Sequence, residues 1–425
     1  MMNLNHKNIA IIGLGYVGLP LAVAFSKYFN VVGFDKNIQR VKELKKGIDV
    51  TKEIEKKDIT KLKKIKITHN QKDIKKCNIY IVTVPTPINE AKDPDLSYLA
   101  DASTIISNVL KKDDIVIYES TVFPGATETF CVPILEKYSN LKFNTDFYCG
   151  YSPERINPGD KNNKLTNIKK ITSGSNNQVA DFIDQLYLKI IKAGTHKASS
   201  IKVAEAAKVI ENIQRDVNIA LINELSVIFN ALEIDTEEVL DAAATKWNFI
   251  KYKPGLVGGH CISVDPYYLT HKAKSQGILS QVILSSRKVN DNMASHIVNQ
   301  LIKQMVKKDI GVSKSNILIF GFTFKENCND LRNTLVNELA HGLKDYNCNV
   351  DIHDPYIDIE SSKKIYKLNF ISELEKSKYD AIILAVAHNA IRSMGIQRIK
   401  KLVKEKSIIY DLKHMFPKSD TDLRL

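Results

Sequence analysis

The residues most able to do chemistry lie in Gly258-Gly259-His260-Cys261-Ile262-Ser263-Val264-Asp265-Pro266. Two glycines leave the backbone bare beside a thiol, and a carboxylate follows four positions after it. Far upstream stands Gly13-Leu14-Gly15-Tyr16-Val17-Gly18, the spacing of a dinucleotide-binding turn. A thiolate and a nicotinamide in one chain suggest oxidation past an aldehyde. The adduct of a thiolate with an aldehyde still has a hydride to give, and a bare aldehyde gives one poorly.

The glycine fingerprint closes an apolar strand at Asn8–Gly13 and opens a helix over Val17–Tyr28. A second strand, Val31–Phe34, ends at Asp35, 22 positions after Gly13. In that context Gly13 allows the tight turn, Gly15 lets a pyrophosphate approach the helix N-terminus, and Gly18 lets helix and strand pack closely. Asp35 would hold the adenosine ribose and repel a 2′-phosphate, which favours NAD. Thr86, in Val84-Pro85-Thr86-Pro87, and Thr121, in Glu119-Ser120-Thr121-Val122, follow further strands. Both are expected near the nicotinamide ribose, although a cap or turn explains either one alone.

Lys208 and Asn212 lie four apart on one long helical pattern, Ile201 to about Leu232, among small apolar neighbours. A lysine there needs a polar partner. Cys77, Cys131 and Cys149 sit in apolar segments and read as core, whereas Cys261 sits in a polar loop. His260 is read as a loop residue shaping the site, and Asp265 as a cap or a pocket carboxylate. Glu154, in Ser152-Pro153-Glu154-Arg155, ends another strand. Lys325 and Arg332, in Gly321-Phe322-Thr323-Phe324-Lys325 to Arg332, offer charge for a diphosphate.

The elements that position these residues alternate strand and helix, with further strands at Ile79–Val84, Ile115–Tyr118, Phe147–Tyr151 and Ile168–Thr172. Helical patterns then dominate, including Thr236–Thr245 and Gln281–Val306. Strands return at Ile317–Phe320, Val350–His353, Ala381–Val386 and Ile408–Tyr410. The expected fold is α/β: two Rossmann-like, doubly wound parallel-sheet domains joined by an all-helical dimerisation domain. The expected boundaries are 1–200, 201–308 and 309–425. A net charge of +13 comes from 53 lysines and only eight arginines spread along 425 residues, which speaks against nucleic acid and for an anionic substrate. No apolar run is long enough for a membrane span, the start is polar, and six scattered cysteines form neither a disulfide framework nor a metal site. A cytoplasmic enzyme without a metal is expected.

Together these motifs resemble the UDP-glucose/GDP-mannose dehydrogenase family: the glycine fingerprint, Glu-Ser-Thr-Val, Ser-Pro-Glu, Gly-Gly-x-Cys-x-x-x-Asp and Phe-Lys-x-x-x-x-Asp-x-Arg, in the family's order. The resemblance implies NAD-dependent, four-electron oxidation of a UDP-sugar C6 alcohol by a cytoplasmic homodimer or larger homo-oligomer. It makes Cys261 the nucleophile, with Asp265 as its polar helper. Lys208 and Asn212 would stabilise an oxyanion, and Thr121 and Glu154 would position water. The cofactor set becomes Gly13, Gly15, Tyr16, Val17, Gly18, Asp35, Arg40, Thr86, Thr121 and Arg332. Glu154, Arg155, Lys208, Asn212, Gly258, Gly259, Lys325 and Lys413 form the substrate set. Pro158 stands where the UDP-glucose branch has a second glutamate, and Lys413 where that branch often has arginine. Ser-Pro-Glu-Arg-Ile-Asn-Pro-Gly-Asp, from Ser152, and Gly-Gly-His-Cys, from Gly258, resemble the branch acting on UDP-N-acetylhexosamines, notably UDP-N-acetylglucosamine in capsule and O-antigen pathways. UDP-glucose, UDP-N-acetylmannosamine, a two-electron 6-phosphogluconate-like reaction and a silent NAD-binding regulator stand as alternatives.

Overall fold

The computed structural model describes residues 4, 7–51, 53–54, 56–156 and 165–425. Pro158, on which part of the substrate expectation rests, lies outside the described residues. The chain divides into two compact units, one formed by 1–211 with 267–278 and the other by 212–266 with 279–425.

The first unit is built on eight strands: β1 (Asn8–Ile12), β2 (Asn30–Phe34), β3 (Lys66–Thr68), β4 (Ile79–Val82), β5 (Ile115–Tyr118), β6 (Tyr148–Tyr151), β7 (Lys170–Gly174) and β8 (Thr195–Lys197). Their order is β3-β2-β1-β4-β5-β6-β7-β8. All pairings are parallel except β6 with β7, which is antiparallel. Apolar β1 explains the architecture: Ile9 and Ile11 face one core while Ala10 and Ile12 face another. A strand buried on both faces requires helices on both sides.

The second unit repeats the device with β9 (Asn316–Phe320), β10 (Asn349–His353), β11 (Asn369–Phe370), β12 (Tyr379–Leu384), β13 (Val403–Asp411) and β14 (Leu423–Arg424). Their order is β11-β10-β9-β12-β13-β14, parallel throughout. Ile317 and Ile319 enter one core, Leu318 and Phe320 the other. Along the chain between β8 and β9 the helix Ile201–Ala231 runs unbroken, and Gln281–Lys307 forms a second long helix. A helix not expected from the sequence begins at the site itself, over Asp265–Lys274. Pro266 near its start is pre-set for the first turn, and His271, Lys272 and Lys274 complement its C-terminal end.

Candidate active site

The glycine turn follows β1, and the helix Gly18–Phe25 opens beside it. Gly13 adopts φ +98°. A side chain at Gly18 would begin 1.9 Å from the Gly13 carbonyl oxygen, so only hydrogen fits there. Over Gly15, by contrast, nothing lies within 4 Å of where a Cβ would stand. That opening faces a helix start without an acidic residue in its first turn, as an anion requires. Asp35 accepts Leu14 N and Asn37 N, each at 2.8 Å and on separate carboxylate oxygens, leaving each oxygen lone pairs for a ribose. The residues therefore fit a dinucleotide.

Arg40 sits under this turn rather than over it. It is buried, donates from Nε to the Leu14 carbonyl at 3.0 Å, and pairs with Asp49 at 2.9 Å. Asp35 and Arg40 thus grip opposite ends of the Leu14 backbone. Val17 is buried and Tyr16 half-buried. Thr86 and Thr121 are half-buried beyond the carboxyl ends of β4 and β5, on the ligand side of an open sheet.

Beneath Thr121 lies a buried cluster that sequence reasoning missed. Glu119 receives Lys170 Nζ at 2.5 Å and the Tyr187 hydroxyl, with both charges almost wholly enclosed. The Glu119 carbonyl accepts Glu154 N at 3.3 Å. Glu154 is buried and its carboxylate accepts Ile156 N. Arg155 pairs with Glu211 and donates to the Lys169 carbonyl at 2.7 Å, tying this loop to the long helix.

Glu205, also missed, lies three residues before Lys208 on that helix. Its carboxylate accepts Thr127 N at 2.9 Å and Gly125 N at 2.5 Å, joining the helix to the loop after Thr121. Burial pushes its pKa up to about 7 from 4.5, against the pull of these donors. A carboxyl raised on folding contributes stability fully below about pH 4.5 and loses it as pH rises through about 7. We predict that Glu205→Gln, which cannot ionise, loses about 3 kcal/mol less stability than wild type between pH 5 and pH 8. Melting temperatures at the two pH values check this, and equal shifts would contradict it.

Three expected site residues come together around the thiol loop. The Cys261 carbonyl accepts Val264 N at 3.1 Å and Asp265 N at 2.8 Å, a turn that launches the helix Asp265–Lys274. Asn212 Nδ2 donates to Asp265 Oδ2 at 2.5 Å, and both side chains are buried. Lys208 is also buried, one turn before Asn212 on the same helix. Among the six cysteines Cys261 alone is half-exposed, the other five being buried.

Gly258 and Gly259 answer to the protein's own packing. Gly259 has φ +90°, and a Cβ there would meet the Phe324 ring at 2.8 Å. A Cβ at Gly258 would lie 2.5 Å from the Asn333 carbonyl oxygen. Asn333 Nδ2 donates to the Gly259 carbonyl at 3.1 Å, so the Lys325 loop forms one wall of the thiol loop. Burial, reinforced by the Arg332 charge, pushes His260 down to about 4 although Asp330 lies 3.6 Å away. His260 is therefore neutral at physiological pH and presents no cation beside the thiol. Arg332 is engaged bidentately with Asp330 at 2.9 Å. Lys325, Lys413 and Gly258 line one cleft of the second unit with Thr334. Burial lowers the Lys413 pKa, and a phosphate placed beside the ammonium would oppose that shift.

The chain matches the NAD binding domain of the UDP-glucose/GDP-mannose dehydrogenase family over residues 7–191, its central domain over 202–292 and its UDP binding domain over 318–418. It belongs to that family. This UDP-glucose/GDP-mannose dehydrogenase family member is 56% identical to the UDP-N-acetyl-D-glucosamine 6-dehydrogenase of Salmonella typhi, over 100% of both chains. It is also 56% identical to the enzyme of that name from Pseudomonas aeruginosa, over 98% of this chain and 99% of the relative. The solved UDP-D-ManNAc dehydrogenase of Pyrococcus horikoshii superposes with a TM-score of 0.87 at 30% identity, covering 97% of this chain and 96% of the other. The family member is an NAD-dependent nucleotide-sugar dehydrogenase. Among the described residues no helix is long and apolar enough to cross a membrane.

Proposed function

We propose that this dehydrogenase oxidises the C6 alcohol of UDP-N-acetylglucosamine to the carboxylate, releasing four electrons through a covalent intermediate on Cys261. The substrate assignment is supported by 56% identity over the whole chain to relatives bearing that activity. The covalent step rests chiefly on one observation: the half-exposed thiol that precedes the buried Asp265–Asn212 pair. NAD, when bound, supplies a two-electron oxidant for each hydride. Lys208, or a water held by Asp265, takes the hydroxyl proton as the first hydride leaves C6. Cys261 Sγ then adds to the aldehyde, and Lys208 with Asn212 donates to the developing oxyanion. Loss of the second hydride leaves a thioester on Sγ. Water held by Thr121, Glu154 and Asp265 hydrolyses that thioester, freeing the thiol and the uronic acid. Lys325 and Lys413 are assigned to the nucleotide end, where Lys413 acts as a single point charge.

Comparing kcat/KM across UDP-N-acetylglucosamine, its galacto and manno epimers and UDP-glucose tests the assignment. We expect UDP-N-acetylglucosamine to lead by at least about tenfold, because a site built for one hydroxyl direction leaves polar groups unpaired with another. A UDP-glucose preference would refute it.

We further propose a homodimer formed along the long helix. Val203, Ile210, Leu221 and Ile228 are exposed and separated by 7, 11 and 7 positions, near-whole turns that align them in one apolar stripe. Leu221→Asp with Ile228→Asp should halve the mass measured by light scattering. An unchanged mass would place the interface elsewhere.

A further inference from the structure

Among the buried titratable groups that the reaction does not use, His388 is the most elaborately held. Its ring is fully enclosed, directly after the segment that closes β12. Nδ1 faces the Asn327 backbone N–H at 2.9 Å, and since that amide can only donate, Nδ1 carries no hydrogen. The hydrogen of the neutral ring therefore sits on Nε2, 3.0 Å from Asp354 Oδ2 and 3.0 Å from Thr323 Oγ1. Thr323 passes its own hydroxyl hydrogen to the Lys325 carbonyl at 2.9 Å. Asp354 Oδ2 also receives Phe322 N at 2.7 Å and Thr323 N at 3.1 Å. Tyr356 stacks on the imidazole with ring centroids 4.8 Å apart and donates to Asn327 Oδ1 at 3.2 Å.

A histidine, a carboxylate and a hydroxyl in line look like a nucleophilic triad. All three are buried, however, and the hydroxyl hydrogen is committed to a backbone carbonyl. The cluster instead pins the turn after β9 on both sides of Lys325: through Thr323 before it and Asn327 after it. Asn327 lies in the left-handed region, at φ +57°, a conformation held by contacts at both its amide and its side chain.

We propose that His388 is a positioning residue for nucleotide-sugar binding, fixing the loop that aims Lys325 at the diphosphate. The proposal rests on the reading of Lys325 given above, and the experiment separates the two. UDP binding is measured by calorimetry, and KM for NAD and melting temperature are measured alongside, for Lys325→Ala, His388→Leu and His388→Asn. Asparagine keeps an acceptor where Nδ1 stands and loses only the Nε2 donor.

Lys325→Ala and His388→Leu should each weaken UDP binding about tenfold or more, as expected when a charge-assisted contact is lost or misplaced. KM for NAD should stay within about twofold, since no interaction on that side changes. His388→Asn should recover most of the affinity. UDP binding that survives in Lys325→Ala would overturn the reading of Lys325 and the proposal with it. Weakened binding in Lys325→Ala but wild-type binding in His388→Leu would overturn the role of His388 alone, as would equal losses in His388→Leu and His388→Asn. Should His388→Leu not fold, His388→Gln replaces it. Glutamine mimics only the Nε2 side, so it must bind UDP more weakly than His388→Asn; equal affinities would overturn the proposal.

Discussion

Cys261→Ser should form the uronic acid at no more than about one-thousandth of the wild-type rate, the scale seen when a catalytic nucleophile is removed. The expectation follows from the two halves of the proposed reaction. The first hydride leaves from an alcohol, and Cys261 takes no part in that step. The second leaves from a tetrahedral adduct, and forming that adduct requires a nucleophile strong enough to hold the aldehyde. A serine hydroxyl at the same place is a far weaker nucleophile than a thiolate at neutral pH. Its adduct, once oxidised, would be an ester rather than a thioester, and slower to hydrolyse. The first oxidation should persist in Cys261→Ser, with aldehyde recoverable by a hydrazine trap. Acid formation at the wild-type rate in this variant would remove Cys261 from the covalent step.

Lys208→Ala should lower kcat by about a hundredfold to a thousandfold, the usual loss when one donor to a developing oxyanion is removed. Lys208 is buried on the long helix, between Glu205, which anchors the loop after Thr121, and Asn212, which holds Asp265. In the proposed mechanism the Lys208 ammonium donates to the tetrahedral oxyanion formed during turnover, in a site that preorganises that donor. Lys208→Arg should not restore the rate, because a planar guanidinium cannot present its charge at a single point in the same space. A fall in melting temperature with kcat unchanged would reassign Lys208 to structure alone.

The parts of this site that were legible in the sequence are those whose residue types are unusual for their surroundings. A thiol in a Gly-Gly loop, glycines closing an apolar strand and a 31-residue helix without proline or glycine can each be read from neighbouring residues. The parts that stayed hidden depend on distant partners. Glu119 and Lys170 are 51 positions apart, and no local pattern announces that a lysine in β7 will be enclosed beside a glutamate after β5. Glu205 stands in the same small-residue run that draws attention to Lys208, and a carboxylate among Val203, Ala204, Ala206 and Ala207 was the available signal. The helix from Asp265 stays ambiguous in sequence, because Asp-Pro marks both a turn and a helix start and so allows Asp265 only as a cap of either kind. Short polar edge strands such as β3, β8, β11 and β14 have two or three residues each, too few for a period of two to register. His388 sits among residues ordinary for a turn after β12, and its importance comes from Asp354 and Asn327, 34 and 61 positions away.

The most direct test of the central claim is the amount of NADH released per mole of limiting UDP-N-acetylglucosamine, followed to completion. The proposed chemistry predicts two, one for each hydride, with the uronic acid as the sole sugar product. One NADH per sugar, with aldehyde accumulating, would contradict it and leave Cys261 without a catalytic role.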